Sequence, residues 1–157
     1  MSKSLVTESA DMLCHKAEKD ILTVNVLSNK DFYPEDLMYD IICFHATQAA
    51  EKFLKSFIIS NGKTVEKIHN LDILQKIAIE IDTSFTNISK DCMSLNEYVP
   101  DIKYSEQEAI TKQNINDIIK SLDVICNFPP IKTMRNSFGK EHKYEIVGEI
   151  ATGQNTK

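Results

Sequence analysis

The densest run of chemically useful side chains lies between residues 42 and 58. On a helix of about 100° per residue, Ile42, Ala46, Ala49, Ala50, Phe53, Leu54 and Phe57 gather on one side. His45, Gln48, Glu51, Lys52 and Lys55 gather opposite. An imidazole, an amide, a carboxylate and two ammonium groups on one stripe can hold an anion. They can equally form the solvated face of an ordinary amphipathic helix. Phe44 lies inside that polar stripe, and an aromatic among polar groups marks a contact surface. The small residues Ala46, Ala49 and Ala50 imply close helix packing on the other side. His69 follows the Gly62–Ile68 loop and opens the next helix. The helix dipole there disfavours a charged imidazole, and a neutral one donates one hydrogen bond and accepts another. It is either a site residue or a packing and capping group. Asp36, Asp40 and His45 do not share one helical face. The four cysteines, Cys14, Cys43, Cys92 and Cys126, show no CxxC and no histidine at ligand spacing. No metal site and no cofactor is expected.

The elements that must position these groups read as helices. A first helix runs from about Leu5 to Leu27, with Ala10, Leu13, Ala17, Ile21 and Val24 at spacings of three and four. Pro34, Glu35 and Asp36 suit the first turn of a second helix, which runs to Ser60 and ends on Asn61-Gly62, a left-handed C-cap. A third spans about His69 to Ile81, with Leu71, Leu74, Ala78 and Ile81 inward. A fourth carries Phe85, Ile88, Cys92 and Leu95 and stops before Pro100. Ser105-Glu106-Gln107-Glu108 matches a capping box for a fifth, with Thr111, Ile115, Ile118, Leu122 and Ile125 on one face. Pro129-Pro130 ends it near Asn127. The expected architecture is all-α, an up-and-down bundle of about five helices over residues 1–130. A short, irregular, partner-dependent C-terminal tail follows over 131–157, with a short strand around Tyr144 to Val147.

Composition narrows the function classes. At 157 residues the chain fits one domain with a sizeable core. The net charge of −5 argues against a generic nucleic-acid binder, and no DNA-specific binding is expected. The single arginine, Arg135, rules out broad fork-type recognition of phosphate. The cysteines fall among apolar residues and read as buried, reduced thiols. Met1 to Lys16 lacks the apolar core of a signal peptide, and no apolar run is long enough to span a membrane. A cytoplasmic protein is expected.

Three segments together resemble the HEPN family, the "higher eukaryotes and prokaryotes nucleotide-binding" domain. Phe44-His45-Ala46-Thr47-Gln48-Ala49-Ala50-Glu51-Lys52-Phe53-Leu54-Lys55 resembles its signature helix, a Q-A-A-E-K-x-x-K run after an aromatic. His69-Asn70-Leu71-Asp72-Ile73-Leu74 resembles its H-x-L-x-x-L, and Ala17-Glu18-Lys19-Asp20 the A-x-x-D of its first helix. Family members commonly carry R-Y-P-D between the fourth and fifth helices. Here that region reads Tyr98-Val99-Pro100-Asp101-Ile102-Lys103-Tyr104, without the arginine. Lys103 supplies charge there but no bidentate fork.

The resemblance implies a helical bundle, frequently a homodimer. It implies a binding module more than an enzyme, accessory to a small nucleotidyltransferase or part of a toxin–antitoxin system. The residues expected to receive a nucleotide, an RNA or a protein partner are His45, Gln48, Glu51, Lys52, Lys55, His69, Tyr98, Asp101 and Lys103, with Phe44 at an interface. A structural homodimer with no ligand site is a further alternative. Another branch of the family cleaves RNA without metal through R-x(4–6)-H, the two side chains meeting across a dimer. Arg135 and His142 fit that spacing. The histidine would act as general acid or base and the arginine would stabilise the developing charge. The motif lies beyond Pro129-Pro130 and contains Gly139, whereas the chemistry needs a rigid support.

Overall fold

The computed structural model describes residues 9–28, 39–65, 67–98, 110–138 and 143–146. Among these, six α-helices and one 3-10 turn account for the regular structure, with no strand. The helices are α1 (Ala10–Leu27), α2 (Tyr39–Ser60), α3 (Leu71–Ile81), α4 (Ser89–Asn96), α5 (Lys112–Asn127) and α6 (Pro129–Phe138). The 3-10 turn, Thr83–Ile88, leads into α4.

Local chemistry sets these boundaries. The Ser9 hydroxyl accepts the Met12 amide and starts α1, satisfying one of the donors a helix N-terminus leaves without a partner. Asn70, not His69, caps α3: its side-chain oxygen accepts the amides of Asp72 and Ile73. α2 ends at Asn61 and Gly62, whose φ of +90° is the left-handed cap read from the sequence. α5 begins later than expected. Thr111, placed by its spacing on an inward face, is the N-cap, and it exchanges hydrogen bonds with Asn114 in a reciprocal box. The Ser105 box lies outside the described residues, as do Leu5 and the Pro34–Asp36 turn.

α2 is the axis of the bundle. It packs against α1, α3, α4, α5 and α6, most extensively against α1. Ala46, Ala49 and Ala50 are fully buried beside Phe53 and Leu54, which lets the neighbouring backbones approach closely. With neighbours on so many sides, only a narrow stripe of α2 meets solvent.

The largest departure from the sequence reading comes after Asn127. Pro129-Pro130 does end α5, but the same prolines form the first turn of α6, where proline's fixed φ is helical and its missing N–H costs nothing. α6 packs on α5, α1 and α2 and buries Ile131, Met134 and Arg135. Where a loose arm was expected, residues 129–138 are part of the bundle, and the expected break at 130 falls in the first turn of α6. Residues 143–146 have no regular structure. Val147 and His142 lie outside the described residues.

Candidate functional site

The polar stripe of α2 is held by two buried carboxylates. Asp20 of α1 is 6% exposed and uses both oxygens. Oδ1 accepts from His45 Nδ1 at 2.8 Å, and Oδ2 from Lys52 Nζ at 2.7 Å. Glu51 of α2 is 4% exposed. Its Oε2 accepts from both Lys55 Nζ and His69 Nδ1, each at 2.9 Å. Its Oε1 accepts from Gln48 Nε2 at 3.5 Å. An ionised carboxylate can only accept, so each imidazole carries its proton on Nδ1. Nε2 is then the nitrogen left for other partners.

Five of the sequence-derived residues from α2, together with His69, therefore form two adjoining clusters. Asp20 gathers His45 and Lys52; Glu51 gathers Gln48, Lys55 and His69. Glu51 corrects the helical wheel. It was placed on the solvated face but is buried, because His69 and the start of α3 close over that side of α2. Phe44 is 44% exposed, as its place in the polar stripe implied. Its ring stands edge-on to His45, with centroids 5.2 Å apart. Ile41, one turn earlier, is 41% exposed.

The end of α4 abuts the start of α3. Asn96 Oδ1 accepts the Leu71 amide at 2.8 Å, and Asn96 Nδ2 donates to Asn70 Oδ1 at 3.2 Å. This brings the half-buried Tyr98 to the end of the bundle that carries His69. Asp101 and Lys103 lie outside the described residues.

Arg135 has a different role from the one its motif suggests. It is 2% exposed, and its partner Glu18 is fully buried. Nε donates to Glu18 Oε2 at 2.6 Å and Nη2 to Oε1 at 2.9 Å, a bidentate fork. Nη1 donates to the Cys126 carbonyl at 3.0 Å and Nη2 to the Tyr144 carbonyl at 2.7 Å. The guanidinium carbon lies 5.0 Å from the centre of the Phe53 ring. Burial opposes the charge, but the hydrogen bond and charge of Glu18 outweigh it and hold the guanidinium pKa above its usual value. As a catalytic candidate Arg135 is thus corrected: its donors are committed inside the fold rather than aimed at a surface where a phosphate could arrive. The Tyr144 amide completes the arrangement by donating to Glu18 Oε1 at 2.8 Å. Asn25 holds the Glu145 carbonyl at 2.8 Å.

Asp20 and Glu18 are the residues that a search for polar stripes passed over. Both stand in the A-x-x-D segment. The available signal was the pair of acids flanking Ala17 and Ile21 of the apolar stripe. All four cysteines are buried. Burial, the largest cause, pushes the thiols of Cys14, Cys43 and Cys92 up to about 12 and raises that of Cys126 as well. None is a ready nucleophile. Among the described residues, no group of three or more His, Cys, Asp or Glu side chains could hold a metal ion. No described helix is long and apolar enough to cross a membrane.

No curated protein and no solved structure matches the chain significantly. A family model does: the HEPN domain, over residues 10–132, more than three quarters of the sequence. That span contains the α2 stripe, both carboxylates that organise it and the His69 segment, and by that match the chain belongs to the HEPN domain family.

Proposed function

We propose that this HEPN domain is a binding module whose α2 face receives the phosphate of a nucleotide. It would work as a homodimer in the cytoplasm, accessory to a small nucleotidyltransferase or within a toxin–antitoxin system. One observation carries the reading: two carboxylates, each under a tenth exposed, fix His45, Lys52, Lys55 and His69 along a single stripe. Groups fixed before the ligand arrives lose less side-chain freedom on binding. Exposed Phe44 beside His45 offers a face on which a base can stack. Ile41 and Phe44, both exposed at one end of the stripe, favour a second contact there with a protein surface, either a second copy or the nucleotidyltransferase. The ribonuclease reading needs Arg135 at a surface and finds it buried.

Calorimetry with a panel of nucleoside mono-, di- and triphosphates tests the proposal. Binding of at least one nucleotide is expected, weakened roughly tenfold or more by Lys52→Gln, the loss of one charge-assisted hydrogen bond. Light scattering on Phe44→Asp reads the protein contact and should show a weakened dimer. If no nucleotide binds and Phe44→Asp leaves the assembly unchanged, the α2 face has neither role.

A further inference from the structure

The two clusters on the α2 face have a charge arrangement that goes beyond holding side chains in place. In the first, the Asp20 carboxylate is matched by the Lys52 ammonium at 2.7 Å, and His45 is the third member. In the second, the Glu51 carboxylate is matched by the Lys55 ammonium at 2.9 Å, and His69 is the third member. With neutral imidazoles each cluster sums to zero. The lysines, which look like the anion-binding groups in the sequence, are already neutralised by buried partners. Two clusters of zero net charge have little to offer a phosphate dianion beyond hydrogen bonds. Among the contacting groups, only the imidazoles can change that sum, since imidazole is the side chain that most readily gains a proton near neutral pH. Each imidazole is already oriented for it. Nδ1–H points at a carboxylate, and Nε2 becomes a second donor once protonated.

We infer that the α2 face takes up protons as it binds a phosphate dianion, so that His45 and His69 act as the variable charges and Lys52 and Lys55 as fixed ones. This rests on the nucleotide-binding reading above and adds its regulation: affinity is set by pH, and a phosphate monoester is preferred over an uncharged nucleoside. Among the described residues, the charged groups in contact with His45 are Asp20 of α1 and, through it, Lys52 of α2. Among the described residues, those in contact with His69 are Glu51 and, through it, Lys55 of α2; the positive end of the α3 dipole opposes its charge, and the Glu51 carboxylate and the bound phosphate must offset it. Both sets pair a carboxylate with an ammonium, so the protonated state of each cluster is singly positive. Each proton taken up is one bond formed at Nε2, with the proton drawn from buffer and no other covalent change.

The test is titration of the full chain with AMP at several pH values, each in two buffers of different ionisation heat. The native protein is compared with His45→Asn, His69→Asn and the double variant. Asparagine places an amide donor where Nδ1–H stood, so the carboxylate keeps its partner while the titrating group is gone. Free AMP contributes the same phosphate titration to all four experiments, and the phosphorus NMR shift of bound AMP separates the phosphate's own proton from those of the protein. Native protein should take up more protons per AMP than the double variant, with each single variant between. Native affinity should fall with rising pH, by about tenfold per unit for each linked proton. Binding with the same proton uptake in the native protein and the double variant would overturn the inference and leave the binding module standing. No binding of AMP or any other nucleotide at any pH would remove both. Should the double variant misfold, histidine nitrogen NMR on the native protein decides the matter: Nε2 of His45 and His69 must gain a proton on AMP addition, and unchanged signals refute the proposal.

Discussion

The Arg135–Glu18 pair shows how a residue's identity and its role can part company. The pair is fully desolvated, bidentate and supplied with two further carbonyl acceptors for the guanidinium. Removing one member of such a pair strands the other charge in the core, at a cost of about 3–5 kcal/mol. Glu18→Gln and Arg135→Met should each lower the free energy of urea unfolding by that order. The double replacement Glu18→Leu/Arg135→Met should recover most of the loss, since apolar groups of similar volume can substitute for a buried pair. If the double variant is as unstable as the sum of the singles, the cost lies elsewhere than in the stranded charge. None of this was legible in the sequence. Arg135 and Glu18 lie 117 positions apart, and periodicity reports which face of a helix a residue occupies, not what meets it there. The same limit hid the contacts of Asp20 with His45 and Lys52. His45, Gln48, Lys52, Lys55 and Phe44, by contrast, were read correctly as one partly exposed stripe, because their relation is set within a single helix.

At the scale of elements, boundaries were legible where the cap lies next to the periodic run. Gly62 after α2 is such a case. They were missed where two signals compete. Ser105 and Thr111 both fit the start of α5, and the structure uses Thr111, which supplies the Asn114 amide with its acceptor at 3.0 Å. Thr111→Ala should cost about 1 kcal/mol, the usual value of a helix cap, and should raise amide exchange in the first turn of α5 above that in the rest of the helix. Uniform exchange along α5 would mean that packing of Ile115 and Ile118 holds the turn without help. Pro129-Pro130 carried the opposite ambiguity. Two prolines forbid the continuation of one helix and favour the start of another. Only the burial of Ile131 and Met134 shows that a second helix follows.

For the molecule as a whole, an all-helical bundle was legible because spacing, caps and composition agree over most of the chain. Stability against pH is a property at this scale. A thiol whose pKa is raised by folding adds stability that is complete below the pKa of the unfolded thiol, 9.0, and is lost as pH climbs from there toward about 12. Unfolding free energy should therefore decline above about pH 9, by up to about 1.4 kcal/mol per pH unit for each thiol. Cys92→Ala and Cys126→Ala should each make the decline shallower than in the parent chain. An unaltered slope would assign the alkaline loss to lysine and tyrosine instead. The contact between α1 and residues 143–146 has a consequence for synthesis. Glu18 leaves the ribosome more than a hundred residues before Arg135 and the Tyr144 amide that complete its shell. At the usual elongation rate of about 5–20 residues per second, the nascent chain carries an unmatched acid on the inner face of its first helix for several seconds or more. The domain can close around that helix only once residues 135 to 144 have been made, so its folding waits on a segment more than a hundred residues downstream.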